Sequence, residues 1–225
     1  MNQDASEHDF KNMITLRKMT LADVPAIVEI HCSSWDPSEI SVKLGPRFVE
    51  RFYSTIAESQ DAFTYLAERD GRIIAYSSGF LRYRNFNRSL IRSHFFFMAS
   101  IVLHQLLRGR FTIGDLYNML TDSKKLRKLR FPDSHWGMAA LANEYKGTSL
   151  GKESFSMTVQ AVFHDLKKAG QLGVWGPCDS KNIAMEKWLI NLGFEKVDRI
   201  KCFGRNILVF EKVFDDEETS SKGSK

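Results

Sequence analysis

Apolar residues recur along the chain at spacings that predict both helices and strands. In residues 149–169 they fall every three to four positions, which places them on one helix face: Phe155, Val159, Val162, Phe163 and Leu166. Short apolar runs bounded by turn residues indicate strands instead. Two such runs, residues 62–68 and 72–81, flank Asp70-Gly71, which is a hairpin turn signal.

Applied to the whole chain, these patterns predict an α/β protein. The predicted strands are residues 13–19, 62–68, 72–81, 134–142, 172–175, 194–203 and 207–214. The predicted helices are residues 20–31, 46–56, 88–107, 113–129, 149–169 and 182–192. Thr20 and Asp23 form a variant of the capping box at the start of the first helix.

The length fits one domain with an insertion, or at most two small domains, and the composition is typical of a soluble globular protein. The chain has 225 residues, of which 43% are hydrophobic and 26% charged. Cys32, Cys178 and Cys202 are too few and too scattered for a disulfide framework or a zinc site, and their odd number suits a reducing compartment. We find no signal-peptide pattern. We therefore expect a cytoplasmic protein without a metal site, with disordered ends at residues 1–12 and 215–225.

The basic charge is concentrated in one segment. The net charge is +5, but residues 82–130 hold eleven Lys or Arg and two acids, which gives that segment +9. Its predicted helices either cover the core or form a homodimer interface, or they form a lid or docking surface for a negatively charged acceptor. The aromatic run at residues 95–97 beside Arg92 also suits peripheral contact with a membrane. The run at residues 124–130 interleaves leucine, not aromatic residues, which disfavours nucleic-acid binding.

The most informative chemical signal is the turn between the strand around residues 138–142 and the following helix. Gly147 and Gly151 lie four residues apart, and Lys146 and Lys152 flank them. Glycine permits positive φ and close approach of the backbone. The first amides of a helix lack internal partners and carry positive potential from the helix dipole. This order predicts a site for a phosphate or diphosphate.

This turn resembles the acyl-CoA loop of the GNAT superfamily of N-acetyltransferases, which runs Val-x-Pro-x-Tyr-Arg-Gly-x-Gly-Ile-Gly after the fourth strand. The corresponding positions are Leu141, Asn143, Tyr145, Lys146, Gly147, Ser149, Leu150 and Gly151. Lys146 occupies the position of the family's arginine, and Ser149 occupies that of its middle glycine.

Two further segments resemble the same superfamily. Residues 14–23 are similar to its opening strand and capped helix. After its fifth strand the family has Asn-x-x-Ala-x-x-x-Tyr-x-x-x-Gly-Phe, and Asn182, Gly193 and Phe194 match at that spacing. A methionine replaces the Ala, and Leu189 replaces the Tyr. The three segments occur in the family's order.

The resemblance implies the GNAT acyl-CoA N-acyltransferase fold, which is a mixed central sheet flanked by helices. The domain would cover residues 13–214, with a helical insertion at about residues 84–131 between the third and fourth strands. It also implies an enzyme that moves an acetyl group from acetyl-CoA to a primary amine by direct attack. The expected cofactor contacts are Leu141, Asn143, Lys146, Gly147, Thr148, Ser149, Leu150, Gly151, Lys152 and Asn182.

The family also suggests catalytic positions. Its oxyanion donor is a backbone amide of the fourth strand, and its base often lies at the start of that strand, where His135 is the candidate. The ordinary histidine pKa of about 6.5 suits this role, and a packing role is the alternative. Leu189 stands where the family has a general-acid tyrosine. Tyr83, Tyr117 and Cys178 are candidate substitutes, each with a structural alternative.

The acceptor is less specified. Residues 44–53 are similar to bacterial GNAT proteins of surface-polysaccharide pathways, which suggests an amino sugar or a sugar nucleotide. Asp36 lies in the loop that borders the acceptor in this family, and it could bind an ammonium or shape a turn. Two other classes stay open: a degenerate module that holds CoA without transfer, and a membrane- or nucleic-acid-associated protein that uses the basic segment.

Overall fold

A computed structural model describes residues 14–122, 129–202 and 205–214. Seven strands lie within these residues: β1 Thr15–Lys18, β2 Ala62–Arg69, β3 Arg72–Phe80, β4 His135–Leu141, β5 Gly173–Asp179, β6 Glu195–Cys202 and β7 Arg205–Val213. They also contain eight α-helices: α1 Val24–Ser34, α2 Ile40–Leu44, α3 Pro46–Glu58, α4 Tyr83–Ser93, α5 Phe95–Leu107, α6 Ile113–Asp122, α7 Ser149–Lys168 and α8 Ile183–Asn191. The predicted disordered ends lie outside the described residues.

The strands form one mixed sheet in the order β1-β2-β3-β4-β5-β7-β6. All neighbours are antiparallel except β4 and β5, which run parallel. The predicted turn at Asp70-Gly71 joins β2 and β3, and both of its residues have positive φ. The predicted α/β fold with a mixed sheet is confirmed.

Helices pack on both faces of the sheet. On one face α7 buries Phe155, Val159, Val162 and Leu166, which belong to the predicted apolar stripe. On the other face α1 and α3 enclose a second cluster with residues of β2 and β3. The predicted capping box at Thr20 and Asp23 is present, although the first turn after it is a 3-10 turn that leads into α1.

The segment between β3 and β4 differs from its prediction. The helix predicted at residues 88–107 is two helices, α4 and α5, which meet at His94 with an angle of 80°. No Gly or Pro marks this break, so the apolar spacing does not reveal it. Part of the helix predicted at residues 113–129 lies outside the described residues. In addition, α2 lies between the helices predicted at residues 20–31 and 46–56, where no helix is predicted.

Candidate active site

The parallel strands β4 and β5 diverge soon after they begin. Within the described residues their ladder consists of one pair, His135 and Trp175, and the amide of Trp175 donates to the carbonyl oxygen of Ser134 at 3.1 Å. On their other sides β4 pairs with β3, and β5 pairs with β7. The sheet therefore opens between the carboxyl ends of β4 and β5, and open α/β sheets bind ligands at such ends.

A bulge interrupts β4 beside this opening. The register between β3 and β4 shifts between Tyr76 and Ser78, so β4 holds one extra residue there. Met138 lies in the bulge with a φ of 50°, which is a strained value for a residue that has a side chain. Because a bulge directs backbone groups out of the ladder, Met138 and Ala139 are the candidate oxyanion donors of β4.

The turn after β4 ends at Ser149, the first residue of α7, as predicted. Thr148 caps the helix, and its hydroxyl oxygen accepts a hydrogen bond from the amide of Gly151 at 3.0 Å. In the described part of the chain, the amides of Gly147, Ser149 and Leu150 contact no acceptor. Unpartnered amides at a helix start, with Gly147 and Ser149 exposed, form the arrangement that binds anions.

Two glycines are required by the geometry of this turn. Gly147 has a φ of 81°, a conformation that residues with side chains rarely adopt. Gly151 is buried, and a Cβ at this position would overlap the carbonyl oxygen of Tyr145. Ser149 is exposed at the first position of α7. A side chain at this position is therefore compatible with the turn.

Hydrogen bonds tie the turn to the C-terminal end of α1. The Ser34 hydroxyl donates to the carbonyl oxygen of Leu141 at 2.7 Å. Lys146 Nζ donates to the carbonyl oxygen of Ser34 at 3.2 Å, and Asn143 Nδ2 donates to that of Ser33 at 3.1 Å. Three residues predicted as cofactor contacts therefore also hold α1 against the turn. Lys146 lies at a helix C-terminus, where a cation is favourable.

The two other predicted contacts lie on either side of the opening. Lys152 is exposed in the first turn of α7, two positions after Leu150. Asn182 follows the carboxyl end of β5 and caps α8, because its side-chain oxygen accepts from the amide of Met185 at 3.1 Å. This cap leaves the side-chain NH2 group of Asn182 as the donor that could reach a ligand.

His135 begins β4 but is enclosed by aromatic rings. Its ring stacks on Trp175 with 3.9 Å between centroids and also contacts Phe80 and Tyr83. Only 5% of the residue is exposed, and Nδ1 lies 3.2 Å from the carbonyl oxygen of Trp175. Burial lowers the pKa of His135 to about 3. Such a weak base is poorly matched to an ammonium, so these surroundings favour packing over the predicted catalytic role.

The positions considered for the general acid are packed among other side chains, except Tyr117. Leu189, at the family's tyrosine position, is fully buried in the core. Tyr83 packs against His135, and desolvation raises its pKa. Cys178 is buried, and desolvation raises its pKa to about 11. Tyr117 is exposed on α6. Burial favours a structural role for both Tyr83 and Cys178.

Charged residues join the loop after α1 to the strands at the opening. Arg205, the first residue of β7, lies 2.6 Å from Asp179 at the end of β5 and also pairs with Glu39. Asp36 accepts from the amide and the hydroxyl of Ser38 at 2.7 and 2.6 Å, and these contacts lower its pKa. Asp36 thus shapes a turn. The Arg205 contacts were not predicted, because the partners lie in distant parts of the sequence.

A surface cleft of about 660 Å3 lies elsewhere, among β2, α3 and α7. Two of its charged groups pair with each other: Lys18 lies 2.7 Å from Asp165, and the Tyr65 hydroxyl donates to the same carboxylate at 3.0 Å. The cleft is separate from the opening between β4 and β5, and it adds no group to the candidate site.

Solved structures that are similar to this chain include two N-acetyltransferases and one structure that holds acetyl-CoA. Ribosomal-protein-S18-alanine N-acetyltransferase from Escherichia coli is 11% identical, with a TM-score of 0.54 over 92% of this chain and 98% of that one. PaiA N-acetyltransferase from Thermoplasma acidophilum, in complex with coenzyme A, is 14% identical, with a TM-score of 0.55 over 89% and 99%. The structure of yncA from Salmonella typhimurium, with its cofactor acetyl-CoA, is 15% identical, with a TM-score of 0.56 over 91% and 96%.

These similarities identify the fold. No protein-family model matches the chain, and no curated protein matches it. The chain has the fold of the GNAT superfamily of N-acetyltransferases, and the resemblance predicted from three sequence segments is confirmed at the level of the fold.

Proposed function

We propose that this protein is an N-acetyltransferase that moves the acetyl group of acetyl-CoA to a primary amine of a small molecule. The observation that carries the proposal is the opening between β4 and β5, which leads to the unpartnered amides at the start of α7. Two solved neighbours hold coenzyme A or acetyl-CoA, which supports the same cosubstrate here.

The residues at the start of α7 fit a diphosphate. The amides of Gly147, Ser149 and Leu150 would donate to its oxygens, and the helix dipole adds positive potential. Lys152 would add charge attraction. Thr148 and Gly151 hold the turn in shape. The backbone at Leu141, the last residue of β4, and at Asn143 in the following turn would contact the pantetheine arm.

The bulge in β4 supplies the catalytic feature of the site. When bound, acetyl-CoA supplies an activated acetyl group. The amides at Met138 and Ala139 would donate to the negative charge that develops on its carbonyl oxygen, and one preorganised donor typically contributes about 10²–10³ in kcat. His135 stays neutral and holds the start of β4 against β5. Because His135 does not accept its proton, the bound ammonium loses that proton to solvent before the amine attacks.

The loop after α1 would border the acceptor, and it brings carboxylates to the opening. Asp36, Glu39 and Asp179 lie there with Arg205, and carboxylates concentrate the cationic forms of amines. This charge supports a small amine as acceptor. Amino sugars and amine-bearing sugar nucleotides are the narrower hypothesis from the sequence. One solved neighbour is an agmatine N-acetyltransferase, so agmatine also belongs among the acceptors to be tested.

Release of the CoA thiol with an amine panel tests the proposed reaction. The panel holds amino sugars, amine-bearing sugar nucleotides, agmatine and a peptide with an N-terminal alanine. We expect thiol release to match formation of one acetylated amine in mass spectrometry. Binding of acetyl-CoA in calorimetry without transfer to any amine would support the degenerate CoA-binding module. Absence of binding at about millimolar concentration would overturn both.

A charge substitution tests the diphosphate site. Glutamate in Ser149→Glu would lie at the first position of α7, where it complements the helix dipole but repels a diphosphate. We expect acetyl-CoA affinity to fall at least about tenfold, roughly 1.4 kcal/mol, with no loss of thermal stability. Leu21→Glu adds the same charge at an exposed position in the first turn before α1 and should bind normally. Equal affinities of the two variants would contradict the site.

A further inference from the structure

The outward face of α5 has no role in the proposed site. This helix of 13 residues contains no Asp, Glu, Lys or Arg. Ile101 and Gln105 are buried on its inner side. Its outer side exposes large apolar side chains: Phe95 at 58%, Phe96 at 87%, Leu103 at 58% and Leu107 at 80%. Contiguous exposed apolar side chains on a protein surface mark a site of interaction. We call these four residues the α5 face.

Arginines are concentrated in the segment that contains the α5 face. Residues 83–111 contain five arginines and no acid: Arg84, Arg88, Arg92, Arg108 and Arg110. Arg84 lies 4.0 Å from Asp133, whereas the other four form no ion pair within the described residues. Arg88 and Arg92 flank Ile91, which is 54% exposed at the end of α4. The surface therefore combines exposed apolar groups with unpaired positive charge.

Two more arginines lie near the start of α5. Arg47 and Arg51 of α3 lie over the ring of Phe97, at 5.6 and 5.2 Å from its centroid. Both are exposed. Positive charge is thus present at each end of the helix, with Arg108 at the other end. A cationic margin around an apolar surface matches an anionic partner that also accepts apolar side chains.

The geometry suits a helix that lies in an interface. Among the described helices, none is alone long and apolar enough to cross a bilayer, and α4 and α5 reach that criterion only as a pair bent by 80°. Both bury their inner sides, through Phe86 and Leu90 in α4 and Ile101 in α5. With about 20 Å of length, α5 presents its outer side along a surface while its inner side stays in the protein core.

We propose that the α5 face and its arginines dock on an anionic lipid bilayer. The phenylalanine and leucine side chains enter the boundary between headgroups and acyl chains, and the arginines contact lipid phosphates. A second copy of the chain is a poorer occupant. In a symmetric dimer the same patch faces itself, which would bring these unpaired arginines against each other. The docking does not depend on the proposed acetyl transfer.

Co-sedimentation of the full chain with vesicles tests this proposal. One set contains equal molar amounts of phosphatidylcholine and phosphatidylglycerol, and the other contains phosphatidylcholine alone. We expect at least about tenfold stronger partitioning to the anionic vesicles, and we expect high salt to reduce it because surface charge is screened. Equal partitioning to the two compositions, or none to either, would overturn the proposal.

Paired variants separate apolar from electrostatic contacts. We expect the double substitution Phe96→Ser and Leu103→Ser to lower partitioning at least about tenfold, because it removes two inserted side chains. Leu172→Ser is the matched control, since Leu172 is 72% exposed outside the α5 face. The double substitution Arg88→Gln and Arg92→Gln should also lower partitioning about tenfold or more.

Measuring the oligomeric state tests whether the α5 face instead mediates self-association. The substituted side chains are exposed, so circular dichroism and thermal melting should match those of the unsubstituted chain. Sedimentation velocity without lipid should give the same species for the unsubstituted chain and for the Phe96→Ser and Leu103→Ser variant. A dimer that this variant dissociates would assign the α5 face to self-association and would contradict lipid docking.

Discussion

At the scale of single residues, burial determines what His135 can do. Its pKa of about 3 keeps the imidazole neutral at any pH at which acetyl transfer would be assayed. We therefore predict that kcat/KM shows no inflection from His135 between about pH 6 and 9. It should rise with the unprotonated fraction of the acceptor amine. The measurement is a pH profile with two acceptors of different amine pKa.

The two acceptors provide the control for this prediction. If the amine is the titrating group, the midpoint shifts with the acceptor and stays the same in His135→Gln. One midpoint shared by both acceptors, and absent from His135→Gln, would instead show that His135 is the base. A fall in kcat that leaves the midpoint unchanged would agree with a positioning role for the ring.

Residue identities predicted the turn better than they predicted catalysis. Gly147 and Gly151 predict the turn, because its positive φ and its close backbone contact both require a residue without a side chain. His135 shows the limit of the same approach, since its pKa depends on Phe80 and Trp175, which only the fold brings together. The hydrogen bond from the Ser34 hydroxyl to the Leu141 carbonyl oxygen likewise could not be predicted from the sequence.

At the scale of elements, local sequence patterns predicted the longer helices but not the short helix α2. The start of α7 was predicted at the correct residue, because a glycine turn and an apolar stripe coincide there. α2 has 5 residues and too few positions to show a period. The break at His94 leaves the apolar spacing almost unchanged on both sides, so α4 and α5 were predicted as one helix.

Arg205 connects elements that no local signal relates, and we predict that it stabilises their arrangement. It is 17% exposed and pairs with both Glu39 and Asp179. Arg205→Met would leave two partly buried carboxylates close together. We expect the free energy of unfolding to fall by about 1–3 kcal/mol in denaturant titrations. Arg199→Met, on an exposed part of β6, is the matched control and should change it by less than about 0.5 kcal/mol.

A double-mutant cycle isolates this contact. Because Arg205→Met and Asp179→Asn remove the two partners of one ion pair, the double variant should lose less stability than the two single losses together. We expect a coupling energy of about 1 kcal/mol or more. Strict additivity would mean that Arg205 stabilises the protein only through Glu39 or through packing.

At the scale of the whole molecule, the order of elements was the reliable signal. Three short segments, each on the expected element, predicted the sheet and its flanking helices even though identity to solved neighbours is only 11–15%. The opening between β4 and β5 could be expected from the family resemblance alone. No local pattern encodes it, because it results from where two distant strands stop pairing.

Two buried histidines link the stability of the whole protein to pH. Burial lowers the pKa of His31 to about 4 and that of His135 to about 3. In the unfolded chain both would titrate near about 6.5. Between these values the unfolded state binds protons that the folded state does not, so stability falls as pH falls below about 6.5. Above that pH neither histidine makes stability depend on pH.

We predict a steep acid dependence of unfolding that His135→Phe makes shallower. Each neutral buried histidine contributes up to about 1.4 kcal/mol per pH unit between about pH 6 and 5, where most carboxylates are still ionised. Phenylalanine keeps the aromatic packing but removes the hydrogen bond from Nδ1 to the Trp175 carbonyl oxygen, which lowers stability at every pH by about 0.5–1.5 kcal/mol. Denaturant titrations across the window separate this constant offset from the slope. We expect the slope to decrease by up to about 1.4 kcal/mol per pH unit.

Parallel curves for the two proteins would mean that His135 is protonated in the folded state and that its enclosure by Phe80, Tyr83 and Trp175 opens to water.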